Sequence, residues 1–209
     1  MHAFSADFRA GLTDLMRWRR DVRHFRTDPV EEALVQECLS TLALAPSVGL
    51  SEPWRIIRVR SAAAREAALE NFQIANAQAL KGYEGQKAEL YAGLKLSGMQ
   101  EAPEHIAVFC DDSTAKGAGL GAGTMPEMRR YSVVGAVTLM WLHARTLGLG
   151  IGWVSVLDPN RLCRDLDAPE GWSLVAYLCL GWPRDVSLTP ELETKGWEAR
   201  AAALHIEER

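Results

Sequence analysis

The chain has 209 residues, 48% of them hydrophobic, and a formal net charge of −4, which is apolar material for one sizeable core and too little for two. The acidic balance excludes a general nucleic-acid binder and a basic membrane-surface protein, because both need a positive field. Small molecules or protein are the expected partners. Four scattered cysteines, Cys38, Cys110, Cys163 and Cys179, form no C-x-x-C pair, and the N-terminus lacks a basic stretch followed by an apolar one, so a reducing cytoplasm is the expected compartment. The most apolar run, 133–142, is too short for the roughly twenty residues of a membrane span.

Phe8, Leu12, Leu15 and Met16 recur at helical spacing behind Ser5 or Asp7 as cap, which predicts an amphipathic first helix. Asp28-Pro29 predicts the start of a second, cap then first-turn proline, with Val30, Leu34, Val35, Cys38, Leu39 and Leu42 as its buried stripe and a stop at Ala45-Pro46. Residues 54–60 and 106–110 read as strands, separated by an alanine-rich helix over about 62–80 and further helix to about 96. Residues 111–126 hold four glycines and few apolar side chains, a loop of unusual length and a candidate lid, extending to about 128. The longest helix is expected over about 127–147, ended by Gly148 and Gly150. It is apolar nearly all round from 133 to 142, as an element at the centre or at an interface would be. Residues 153–157 and 174–180 supply two more strands, with a helix capped by Asp158-Pro159 between them.

Arg17, Arg19, Arg20, Arg23 and Arg26 crowd one short stretch of an acidic chain. Guanidinium forks match phosphate oxygens, so the cluster is a phosphate-sized field, or else a solvated face pairing with Glu31 and Glu32. Asp21, inside it, reads most simply as an ion-pair partner. The turn-rich stretch 45–54 could face a ligand with the Ser47 hydroxyl and backbone N–H groups. Gly117-Ala118-Gly119-Leu120-Gly121-Ala122 matches the dinucleotide-binding glycine pattern literally, but no strand leads directly into it and no acidic residue ends a second strand at the required distance, which excludes that fold. Gly148, Gly150 and Gly152 could let the backbone approach a flat ring just before Ser155, or simply cap a helix and start a strand. His24 and His105 lack the spacing of a metal site or a catalytic triad, and His143 reads as a core histidine. No metal is expected.

Arg19-Arg20-Asp21-Val22-Arg23-His24-Phe25, Ala45-Pro46-Ser47 with Pro53-Trp54, Leu147-Gly148-Leu149-Gly150 and Gly181-Trp182-Pro183 stand in the order seen in the nitroreductase-like flavoproteins, and the chain resembles that superfamily over nearly its whole length. Residues 19–23, 47–51 and 152–159 are most similar to the 5,6-dimethylbenzimidazole synthases, which make the lower ligand of cobalamin. Asp21 stands where ordinary nitroreductases commonly carry serine, and 125–128 resembles the end of the synthase lid.

The resemblance implies one α+β domain over 1–209, a mainly antiparallel sheet flanked by helices, in a homodimer with FMN at its interface. It implies that Arg19, Arg20 and Arg23 hold the phosphate and polar edge, that Ser47, Gly49 and Leu50 line the ribityl chain and ring, and that Leu96, Val154 and a late phosphate-binding Arg200 complete the set. Asp21 would take a proton from the ribityl carbon that joins the new imidazole, and Ser155 would bond near the flavin N5. The implied reaction is O₂-dependent fragmentation of reduced FMN into 5,6-dimethylbenzimidazole and erythrose 4-phosphate, the reduced flavin coming from a separate NAD(P)H-dependent reductase. An NAD(P)H-dependent nitro- or quinone reductase that recycles FMN, and a non-catalytic FMN-binding protein, are the alternatives.

Overall fold

Ser5 accepts a hydrogen bond from the Phe8 N–H at 3.1 Å and starts α1 (Ala6–Trp18) in the computed structural model, which describes residues 3–94 and 97–209. Leu96, expected in the FMN-binding set, lies outside the described residues. The apolar stripe of α1 is left open, with Phe8, Leu12 and Met16 exposed. The second helix, α2 (Glu32–Ser40), starts later than Asp28-Pro29 predicts. Arg26 Nε takes the Asp28 carboxylate at 2.8 Å, so that carboxylate caps nothing. A 3-10 turn at Thr41–Leu44 follows and ends at Ala45 as expected.

β1 (Trp54–Arg58) leads to α3 (Ala62–Leu80), capped by Ser61, then to α4 (Gly85–Gly93), α5 (Gly98–Glu101) and β2 (Glu104–Asp111). After the glycine-rich loop come α6 (Met128–Thr146), β3 (Gly150–Val154), α7 (Pro159–Asp165), β4 (Trp172–Gly181) and α8 (Glu191–Thr194). The Asp158 carboxylate accepts the Arg161 N–H at 2.9 Å, so this cap forms as predicted.

All strand pairs are antiparallel, in the order β1-β2-β4-β3, and the fold is α+β. Alternate residues of β2 serve two cores. Ile106, Val108 and Cys110 pack with Val35, Val137 and Met140 of α2 and α6, while Ala107 and Phe109 pack with Ala68, Phe72 and Leu162 of α3 and α7. The result is a sheet between two helical layers. Helix α6 is not buried on every side: it seats Val133, Ala136, Val137 and Met140 in the core and leaves Tyr131, Val134 and Thr138 exposed. His143 is not a core histidine either, since its Nε2 meets the Glu37 carboxylate at 2.9 Å near the surface. Among the described residues no helix is long and apolar enough to cross a membrane.

β3 begins three residues earlier than predicted, because its glycines belong to the ladder. A Cβ on Gly152 would strike the Val22 carbonyl oxygen, and one on Gly150 would strike the Val22 side chain and Pro183. Residues 21–25 therefore lie against the outer edge of β3, with the Val22 N–H donating to the Ile151 carbonyl at 3.0 Å and the Arg26 N–H to that of Trp182 at 2.9 Å. The glycines admit the chain's own segment rather than a flat ring. Gly152→Ala is expected to destabilise the fold by about 1–3 kcal/mol, the usual range for overpacking, measured by urea unfolding.

Candidate active site

The docked segment carries the arginine cluster into a cleft of about 390 Å³ whose lining includes Trp18, Arg19, Arg20, Arg145 and Lys195. The Arg19 guanidinium stacks over the Trp141 ring at 4.6 Å. Arg20 donates from Nε and Nη2 to the Leu188 carbonyl at 3.0 and 2.5 Å, and from Nη1 to the Arg19 carbonyl. Among the described residues neither has a carboxylate within 4.0 Å. Burial lowers the Arg20 pKa, and the charges of Arg200 and Arg19 lower it further. The Glu193 charge offsets part of this, and a bound anion would offset more. Glu32, a candidate partner for the cluster, is taken by Arg58 and Arg60 instead. Asp185 and Glu191 also line this cleft, with Glu191 held by Lys195 at 3.3 Å.

Arg23 stands apart from the other three. Its Nε lies 3.5 Å from Asp21 and 3.9 Å from Glu191, while its buried Nη1 has no hydrogen-bond partner. Asp21 Oδ1 accepts the Trp153 N–H at 2.9 Å. The Asp21 side chain is 41% exposed, yet it lies where this cleft meets a second one and protein surrounds it. That burial raises its pKa, outweighing the Trp153 N–H and the Arg23 charge, which act the other way.

The second cleft, about 360 Å³, has walls of Phe72, Tyr91, Leu94, Met99, Val154 and Trp197, with Ser155 at its rim. Its C-terminal wall was not legible. Trp197 packs edge-on against Tyr83 at 5.3 Å with Lys87 above its ring at 4.5 Å. The available signal was Trp197 itself, a lone aromatic in a polar tail.

Ser47, Gly49 and Leu50 are elsewhere. They form the turn before β1, at the sheet edge opposite β3, three strand spacings or about 14 Å away. Ser47 Oγ accepts the Glu52 N–H at 3.0 Å. Gly49 and Leu50 are left-handed, φ 59° and 55°, and the Leu50 side chain is 70% exposed. The glycine-rich loop rests on this turn: a Cβ on Gly49 would meet the carbonyls of Gly117 and Leu120, and Lys116 pairs with Glu52. The expected site residues therefore form two sets, Arg19, Arg20, Asp21, Arg23, Val154 and Ser155 at one sheet edge and Ser47, Gly49, Leu50 and the loop at the other. His105, buried, bonds the Tyr177 hydroxyl through Nδ1 at 2.8 Å, and burial holds its pKa down to about 4. His24 Nδ1 lies 2.8 Å from Ser97 Oγ. Among the described residues no cluster of His, Cys, Asp or Glu could hold a metal ion.

A model of the nitroreductase family matches residues 16–182. A 5,6-dimethylbenzimidazole synthase of Rhodospirillum rubrum is 52% identical over 197 residues, 94% of this chain and 93% of that one. A protein of the same name from Rhodobacter capsulatus is 47% identical over 195 residues, 93% of this chain and 94% of that one. Among solved structures, oxidised iodotyrosine deiodinase bound to FMN and 3-iodo-L-tyrosine superposes with a TM-score of 0.73 at 20% identity, covering 95% of this chain and 99% of that one, a likeness of fold alone.

Proposed function

The chain belongs to the nitroreductase family and is an oxidoreductase, and from that premise we propose that it is a 5,6-dimethylbenzimidazole synthase, which consumes reduced FMN and O₂ and releases 5,6-dimethylbenzimidazole, erythrose 4-phosphate and the oxidised remainder of the flavin's pyrimidine ring. The observation that carries this reading is Asp21, a carboxylate of raised pKa between a cationic cleft and an apolar one. A ligand with an anionic head, a polyol middle and a flat ring matches that order of chemistries. Arg19, Arg20 and Arg200 would hold the phosphate, the unpartnered Nη1–H of Arg23 the polyol or polar edge, and the apolar cleft the ring. Bound reduced flavin supplies the electrons that O₂ takes up. Asp21, ionised, accepts the proton of the ribityl carbon, and Ser155 donates a hydrogen bond toward the N5 edge. The names of the relatives at 52% and 47% identity support the same activity.

Mixing the protein with reduced FMN in air tests the proposal. Dimethylbenzimidazole should accumulate by mass spectrometry as FMN disappears. FMN returned undiminished would instead favour a recycling reductase if NAD(P)H alone sustains turnover, or a flavin-binding protein if nothing does. In the synthase, a separate NAD(P)H-dependent enzyme provides the reduced flavin.

The two sets of site residues at opposite sheet edges support a homodimer, in which the Ser47–Gly49–Leu50 turn and the loop of one copy complete the Asp21 cleft of the other. In that arrangement the loop, 111–128, is a lid that excludes water and nicotinamide from the partner's ring site. The exposed apolar faces of α1 and α6, with Phe8, Met16, Tyr131 and Val134, are the surface two copies would cover. Sedimentation should give a dimer that releases FMN as dilution dissociates it. A monomer that retains FMN would overturn this arrangement.

A further inference from the structure

Ser155 belongs to a span whose side chains Val156 and Leu157 pack on the core but whose backbone is sparsely bonded. Val154, just before, pairs with Tyr177 across β4, but the backbone N–H groups of Ser155, Val156 and Leu157 find no hydrogen-bond partner among the described residues. The next fixed point is Asp158, which caps α7 and accepts the Leu162 N–H at its carbonyl at 3.0 Å, and which a side chain from another layer ties down as well. Asn71 of α3, 1% exposed, donates from Nδ2 to the Asp158 carbonyl at 2.9 Å and accepts the Asp158 N–H at Oδ1 at 2.8 Å. One amide thus answers both backbone groups of one residue, as a neighbouring strand would.

Packing alone does not ask for an amide here. The core on this side of the sheet holds Ala68, Phe72, Leu162 and Tyr177, and a buried amide suffers a desolvation that an apolar side chain would not. What the amide adds is a fixed register between α3 and the end of the 155–157 span. The near end of that span lines the ligand cleft at Val154, Ser155 and Val156, and Phe72, next to Asn71 on α3, lines it too. We propose that Asn71 is a positioning residue for Ser155, clamping the far end of the span and so setting where the hydroxyl stands in the cleft. This rests on the synthase reading, in which Ser155 steers the fate of the reduced flavin.

The experiment compares Asn71→Leu, Ser155→Ala and the double variant. In each, FMN affinity is measured by titration, together with the yield of dimethylbenzimidazole per reduced FMN consumed in air. Asn71→Leu should bind FMN within about threefold of the parent while its yield drops on the order of 10²-fold, the scale of an ångström-sized misplacement at a reacting centre. Hydrogen peroxide and oxidised FMN should appear instead. Because Asn71 acts through Ser155, the double variant should do no worse than Ser155→Ala. Losses that multiply, or an unchanged yield in Asn71→Leu, would overturn the proposal.

If Asn71→Leu does not fold, Asn71→Asp serves. Its protonated carboxyl keeps one donor and one acceptor, so its yield relative to the parent should fall as pH rises and the acid ionises, whereas a flat ratio would refute the clamp. Amide hydrogen exchange over 154–162 in FMN-free protein separates the two readings. A parent that makes no dimethylbenzimidazole sinks the synthase, while exchange in this stretch unaffected by Asn71→Leu sinks the clamp alone.

Discussion

Asp21→Asn should bind FMN within about tenfold of the parent and make almost no dimethylbenzimidazole. Asparagine has the size of aspartate, and its Oδ1 can still accept the Trp153 N–H, so the segment along β3 keeps its place. What is lost is basicity. General-base catalysis contributes about 10²–10⁴-fold, and a loss in or beyond that range is expected, with oxygen uptake continuing and oxidised FMN and peroxide as products. If Asp21 only paired with Arg23, the same change would lower flavin affinity and slow product formation in proportion. A normal yield from a folded variant would refute its role as base.

The sign of the Asp21 shift adds two checks on the same preparation. A base must be ionised, so product formation in the parent should fall as pH drops through the raised Asp21 pKa, at a pH above the ordinary aspartate range near 4. Stability runs the other way. A carboxyl whose folded-state pKa is raised favours the fold most when protonated and gives up that contribution as pH rises through the folded value. At neutral pH the parent therefore carries a partly desolvated charge that the neutral amide of the variant lacks, and thermal unfolding of Asp21→Asn should occur no lower than in the parent. A large drop in unfolding temperature would mark Asp21 as a structural ion-pair member.

The second large effect is expected at the cations. Arg19→Ala and Arg200→Ala each remove a guanidinium that, among the described residues, has no carboxylate within 4.0 Å, so little is left unpaired behind them. A charge-assisted hydrogen bond is worth about 1.5–3 kcal/mol, and each variant should lose about 10- to 150-fold in FMN affinity. Riboflavin, which lacks the phosphate, should bind both variants as it binds the parent. Arg20→Ala should lose more than either, because Arg20 also holds the Leu188 carbonyl and with it the C-terminal wall of both clefts. Unchanged FMN affinity in all three would reduce the cluster to a solvated face.

Local rules read the chain well where a signal stands alone. Ser5 and Asp158 cap as their spacing predicts, and α6 is closed just past Thr146 by Gly148, whose φ of 80° lets the Leu149 N–H reach the Ala144 carbonyl. They fail where two groups compete. Asp28 looks like a cap, but Arg26 is nearer. The glycines before Ser155 look like room for a ligand, but Val22 fills the room. The arginine cluster was legible as a local concentration of positive charge, and so was Asp21 as the carboxylate nearest Arg23, whereas the second carboxylate near Arg23, Glu191, lies far away in sequence. Likewise nothing local separates Ser47 from Asp21 across the sheet, because the order β1-β2-β4-β3 follows from long-range pairing.

The outer edge of β3 would otherwise present a row of free N–H and C=O groups, the kind of edge on which a second chain can add a strand. Residues 21–25 cover it, the Val22 N–H bonding the Ile151 carbonyl and the Asp21 carboxylate accepting the Trp153 N–H. The stretch that carries the proposed ligand-binding side chains is therefore also the chain's protection against aggregation. Substitutions that loosen it should therefore lower the yield of soluble protein as well as the stability of what remains in solution.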